Sequence, residues 1–228
     1  MEVASPAIEQ GLAAAETAVE AGRGLAGTGF WSAVSTVKTH PELVDRYADR
    51  IAAIDERAHR EWALITVPLW LGTIAVILGA SVGIVLIGWA YALEGLTAVV
   101  VFFAGLVTLL TTTHGLAHLL VGWALGMRFT SWFIGKISQP QPGVKLDYAT
   151  YLRTSPVRRA WMHAAGAIVT KMIPFLLIGA AVAAELPVWA VWLLVAVGLG
   201  QLVTDVFWST KASDWKKFRR EMAFAQRS

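Results

Sequence analysis

TTTHGLAHLLVG, residues 111–122, places two histidines four positions apart inside an apolar run. Positions i and i+4 lie one turn apart on one face of a helix, so His114 and His118 face the same way if the run is helical. The run extends from about 96 to 126, longer than the roughly 20 apolar residues needed to span a hydrocarbon core. Two readings of the pair follow from the residues alone. Both imidazoles can ligate one metal ion, or both can hydrogen-bond in a metal-free polar cluster. A zinc protease keeps a glutamate directly after the first histidine of such a pair. Here that position is Gly115, which has no side chain.

Outward from that stretch the pattern recurs. Further apolar segments cover about 63–91, 157–184 and 186–209. Backbone polar groups in lipid must be satisfied within the segment, so all four are expected to be transmembrane helices. Pro68 falls near the start of the first, and Pro174, interior to the third, predicts a kink. The 228-residue chain is 56% hydrophobic and 15% charged. Soluble domains carry about 25% charged residues, so the composition points to a bilayer protein. Cysteine is absent, which excludes disulfides and thiolate metal sites and leaves nitrogen and oxygen donors. A net charge of +3, with the basic residues beside apolar segments, suits membrane orientation and no nucleic-acid partner.

The loop between the second and third segments carries Arg128, Lys136, Lys145, Arg153, Arg158 and Arg159, and the tail carries Lys211, Lys216, Lys217, Arg219 and Arg220. The opposite turns carry only Glu94 and Glu185. The positive-inside rule places both termini and the long loop in the cytoplasm, and the expected setting is a bacterial or archaeal plasma membrane. Trp62, Trp89, Trp123, Trp161, Trp189 and Trp208 fall near helix ends, as interfacial anchors do.

The expected fold is an all-α polytopic membrane protein with about four transmembrane helices, a small cytoplasmic β-hairpin insertion and an N-terminal amphipathic helix. Residues 1–61 form the N-terminal region, 62–210 the transmembrane domain, and 211–228 a basic cytoplasmic tail. In the N-terminal region, 42–61 read as an amphipathic helix with Leu43, Tyr47, Ile51 and Ile54 on one face. Residues 1–27 read as a loose helix or disordered arm. This region is either a surface or partner-binding helix or a solvated lead-in. Within the loop 127–156, RFTSWFIGKI and GVKLDYATYL are rich in β-branched and aromatic residues and flank Gln-Pro-Gln-Pro-Gly, which reads as a hairpin. Its edge can take an extended peptide by strand addition, or the hairpin can serve as a structural cap.

A catalytic zinc needs a third protein ligand. Asp205 is the one carboxylate well inside the other expected spans, and ionisable groups there are usually functional. Lys171 is a cation in the third span. It can stabilise an oxyanion, or pair with Asp205 in a buried ion pair that needs no metal. His163 is a further ligand candidate or an interfacial structural residue. His40 and His59 lie outside the spans and are expected to be solvated.

HGLAHLLVGWALGMRFTSWFIG (114–135), SPVRRAWMHAAGAIVTKMIPF (155–175) and GQLVTDVFWS (200–209), in that order, resemble the site-2 protease family of intramembrane zinc metalloproteases. The likeness covers about residues 97–210. It implies zinc ligands at His114, His118 and Asp205, a site open to the cytoplasm, and a transmembrane or membrane-proximal protein segment as partner within the lipid bilayer. The departures are specific. Gly115 replaces the general-base glutamate, whose loss costs about 10²–10⁴-fold in rate. Ala167 and Thr170 replace the proline and asparagine of the family's third-helix element, so Thr170 and Lys171 are the site-lining candidates. The reading is a catalytically impaired homologue that binds a membrane partner. The alternatives are an active enzyme using another base, such as Asp147, and a structural subunit whose tail docks a partner or anionic lipid.

Overall fold

A computed structural model of the protein describes residues 4–137, 142–207 and 213–226. Trp208, Lys211 and positions 139–141 of the expected turn lie outside them. The chain forms two compact units: Met1–Leu69 with Gly122–Arg159 and Arg220–Ser228, and Trp70–Val121 with Ala160–Arg219.

The first unit opens with three helices. In α1 (Ala4–Glu20), Ile8, Leu12, Ala15 and Val19 recur every three or four residues and are buried. α2 (Phe30–Thr39) buries Phe30, Ala33, Val34 and Val37. α3 (Pro41–Trp62) starts on Pro41, whose fixed φ suits a first turn, and buries Tyr47, Ala48, Ile51 and Ile54. These stripes form one core. Arg50 of α3 grips Glu16 of α1 through two 2.8 Å bonds. Residues 4–20 are therefore a packed helix and not a disordered arm, and 41–62 is not a solvated lead-in. The Ala/Glu-rich first helix has too few large side chains to announce a core that only packing completes.

The β structure is larger than a hairpin. β1 (Ile65–Pro68), β2 (Phe129–Ile134) and β3 (Pro142–Leu146) form an antiparallel sheet in the order β1-β2-β3. Ile65 pairs with Ile134 and Pro68 with Ser131. The first apolar helix accordingly begins at Leu69, not near 63. Ile-Thr-Val is β-branched and prefers a pleated strand, and Pro68 at the strand end needs no ladder donor. β3 ends at Leu146. Asp147 then caps α6 (Tyr148–Arg153), its carboxylate accepting from Ala149 N at 3.1 Å. His59 is not solvated: its ring meets Phe133 edge-on at 4.5 Å.

This unit also buries charge. Glu221 is fully buried and accepts from Lys38 at 2.6 Å, Tyr151 at 2.8 Å and Arg159 Nε at 2.8 Å. Burial pushes the Glu221 carboxyl up, and the charges of Lys38 and Arg159 outweigh it, holding the group below its ordinary value.

The second unit is built from α4 (Leu69–Trp89), α5 (Gly95–Ala124), α7 (Pro156–Ala183) and α8 (Val188–Phe207). Each, α4 together with the 3-10 turn Ala90–Ala92 that continues it, is long and apolar enough to cross a membrane: Leu69–Ala92, Gly95–Ala124, Pro156–Ala183 and Val188–Asp205. Leu78, Ile84, Val85, Leu176 and Trp192 are largely exposed on them. An apolar exterior of this kind is compatible with lipid. Inside, Phe102, Leu106, Ala181, Ala190 and Leu194 are buried together. A Cβ on Gly105 would meet the Gly83 carbonyl at 2.8 Å, so α4 and α5 approach backbone to backbone. Pro174 lies within α7. The last helix, α9 (Asp214–Ala225), follows the apolar set.

Candidate metal centre

α5 presents His114 and His118 on one face, their ring centroids 4.8 Å apart and the rings nearly perpendicular. The carboxylate brought to them is Asp214, the first residue of α9, not Asp205. Asp214 Oδ2 lies 3.1 Å from His114 Nε2 and 3.1 Å from His118 Nε2, and the two Nε2 atoms are 3.3 Å apart. Among the described residues these three form the group able to hold a metal ion. His163, weighed above as an added ligand, is not in it.

α9 is seated at this point by its sequence. Ser213 and Asp214 precede a helical run, and Ser213 Oγ accepts from Lys216 N at 3.4 Å. Asp214 and Phe218 are four apart and share a face. Phe218 meets Trp161 of α7 edge-on at 5.7 Å and stacks on Trp215.

Asp205, placed by resemblance among the ligands, is ion-paired with Lys171, which also donates to the Ala167 carbonyl at 3.2 Å. Thr170 donates to the carbonyls of Gly166 and Ala167 in its own helix. Asp147, the candidate alternative base, is the α6 cap. Gly115 is buried on α5.

The contacts around the ligand atoms fix their direction. His118 Nδ1 donates to the Met162 carbonyl at 2.8 Å. A carbonyl only accepts, so this nitrogen carries the proton and Nε2 points to Asp214. Lys217 donates to the other carboxylate oxygen, Asp214 Oδ1, at 3.1 Å, leaving Oδ2 for the histidines. Burial would push the Asp214 carboxyl up, but the hydrogen bonds from His114 and His118 and the charge of Lys217 hold it far below the usual carboxylate range. Side-chain exposure is 39% for His114 against 13% and 14% for His118 and Asp214, so the group opens on the His114 side.

Two arrangements satisfy these contacts: a metal-free hydrogen-bonded cluster, in which His114, His118 and Asp214 meet one another, or an ion held on the two Nε2 atoms and Asp214 Oδ2. The spacing suits the second. Zinc–nitrogen bonds of about 2.0–2.1 Å at tetrahedral angles put neighbouring ligand atoms about 3.3–3.4 Å apart. The three observed edges fall within a few tenths of an ångström of that face. Histidine and carboxylate are also the donors a cysteine-free chain has to offer.

Met162 and Asp214 were not singled out in the sequence, and Lys217 was read only as part of the basic tail. The Ser-Asp pair ahead of WKKF was the available signal for a helix start at 214. No family model matches this chain, and no curated protein or solved structure matches it either.

Proposed function

We propose that this chain is a multi-pass membrane protein that holds zinc on His114, His118 and Asp214. In this reading it is a homologue of the site-2 proteases that binds a membrane partner segment without cutting it. The observation that carries the metal is the triangle of ligand atoms with 3.1, 3.1 and 3.3 Å edges. A bound zinc ion supplies a Lewis acid able to polarise a carbonyl or a water. The chain's own residues orient the site: Met162 fixes the His118 tautomer, and Lys217 turns one carboxylate oxygen inward. No side chain follows His114 to accept a proton, because position 115 is glycine. The impaired reading rests on that absence.

The partner reading draws on the sheet. β3 has β2 as its neighbour on one side, so its outer edge suits strand addition by an extended, membrane-proximal segment. Orientation draws on connectivity. The segments before α4 and between α5 and α7 fall in one unit, in keeping with an even number of crossings between them. The basic residues of the 125–155 loop support a cytoplasmic setting for it by the positive-inside rule.

The test is metal content. The protein is purified in mild detergent without chelator or His-tag, and zinc per chain is compared with His114→Ala/His118→Ala. Near-stoichiometric zinc that disappears in the variant is expected; wild-type protein without metal overturns the reading. Specific cleavage of a membrane segment, lost on His114→Ala, would refute the impaired half and leave the metal half standing.

A further inference from the structure

His118 lies against a helix that offers it no side chain. A Cβ built on Gly166 of α7 would fall 2.3 Å from His118 Nε2 and 2.8 Å from both Cδ2 and Cε1. The ring therefore lies on bare backbone, and the atom nearest that backbone is the one aimed at Asp214 and His114. Met162, one turn earlier on α7, receives the ring's other nitrogen. One turn of α7 thus supplies both a hydrogen-bond anchor and a recess for the same imidazole.

We propose that Gly166 is a positioning residue of the metal centre: the missing side chain is the slot that sets where His118 Nε2 stands. This rests on the zinc reading above. The magnitudes make the slot demanding. Ordinary contact between carbon-sized atoms begins near 3.5 Å, so a methyl at 166 drives the nitrogen back by about 1 Å. A metal–ligand distance tolerates only about 0.2 Å. The recess cannot widen cheaply, because its floor is helix backbone. Helix propensity runs the other way: alanine is favoured over glycine in a helix interior. Damage from Gly166→Ala is therefore assigned to the imidazole, not to α7.

Gly179 gives the control. It lies on the same helix with nothing within 4 Å of its built Cβ. Zinc affinity is measured by chelator competition for wild type, Gly166→Ala and Gly179→Ala, and cobalt is substituted to read the coordination sphere from its visible spectrum. Gly166→Ala is expected to bind at least about 10–100-fold more weakly, the loss seen when a ligand's supporting shell is removed, with altered cobalt bands; Gly179→Ala should match wild type. Equal affinity and an unchanged spectrum in Gly166→Ala overturn the proposal. A metal-free arm keeps the outcome separate from the zinc reading. Stability is measured in chelator for Gly166→Ala, His118→Ala and the double variant. If the methyl clashes with the ring, it destabilises wild type but not His118→Ala. An additive double variant overturns the slot whether or not zinc binds.

Discussion

Deleting the two ends of one buried salt bridge should have unequal consequences here. Glu221 carries a single negative charge between two cations, Lys38 and Arg159, all three almost fully buried. Glu221→Ala leaves both cations without a counter-ion, and breaking a buried pair in this way costs about 3–5 kcal/mol. Lys38→Met leaves Arg159 and Glu221 as a neutral pair. Burial already pushes the Lys38 ammonium down from 10.5 to about 8, against the pull of Glu221. That gap corresponds to about 3 kcal/mol set against the charged form. Removing the charge should therefore cost under about 1 kcal/mol after the lost hydrogen bond, or stabilise. The pH dependence has a definite sign. The folded pKa lies below the unfolded one, so between pH 8 and 10.5 the unfolded chain binds more protons and stability rises with pH. The assay is sodium dodecyl sulfate unfolding from mild micelles, followed by tryptophan fluorescence, at pH 7 and pH 9. Wild type should gain on Lys38→Met as pH rises. Lys38→Met as damaging as Glu221→Ala, or Glu221→Ala within 1 kcal/mol of wild type, would refute the reasoning.

Other outcomes follow from the same contacts. Asp214→Asn should lose zinc at least tenfold, while Asp205→Asn should keep it and lose stability by stranding Lys171; metal analysis and unfolding separate the two. Gly105→Val should cost about 1–3 kcal/mol by forcing α4 from α5, whereas Gly88→Ala, with open space around its Cβ, should be silent in the same unfolding assay. Burial and the charge of Lys145 push the His59 imidazole down from 6.5 to about 4. The unfolded chain thus takes up a proton first, and stability should fall as pH drops from 6.5 to 4; His59→Phe should flatten that slope in acid-unfolding curves.

The four apolar helices were legible because an unbroken apolar run of about 20 residues or more is too long for a buried strand. α3 was legible from its stripe, and β2 and β3 from β-branched and aromatic runs. β1 was hidden by its neighbour: Ile65-Thr66-Val67-Pro68 abuts an apolar segment and merges with it when only hydropathy is read. The histidine pair was visible, but its carboxylate was sought inside the spans, where ionisable groups are costly. That search found Asp205, whose cost is met by Lys171. Asp214 lies at the head of a polar helix, where an acidic residue is unremarked because it favours the helix start. The slot at Gly166 has no sequence signature, since a glycine in an apolar helix shows what it accommodates only when the facing ring is in place.

The sheet also dictates an order of events during synthesis. β1 leaves the ribosome ahead of α4 and α5, yet its partner β2 is made only after both. At about 5–20 residues per second, Ile65 waits several seconds for Ile134 to emerge. Until then it is an unpaired edge, a template for wrong partners. A fragment ending at residue 69 would keep that edge permanently open. The N-terminal helices are thus part of a unit whose closure depends on α4 and α5 having already been made.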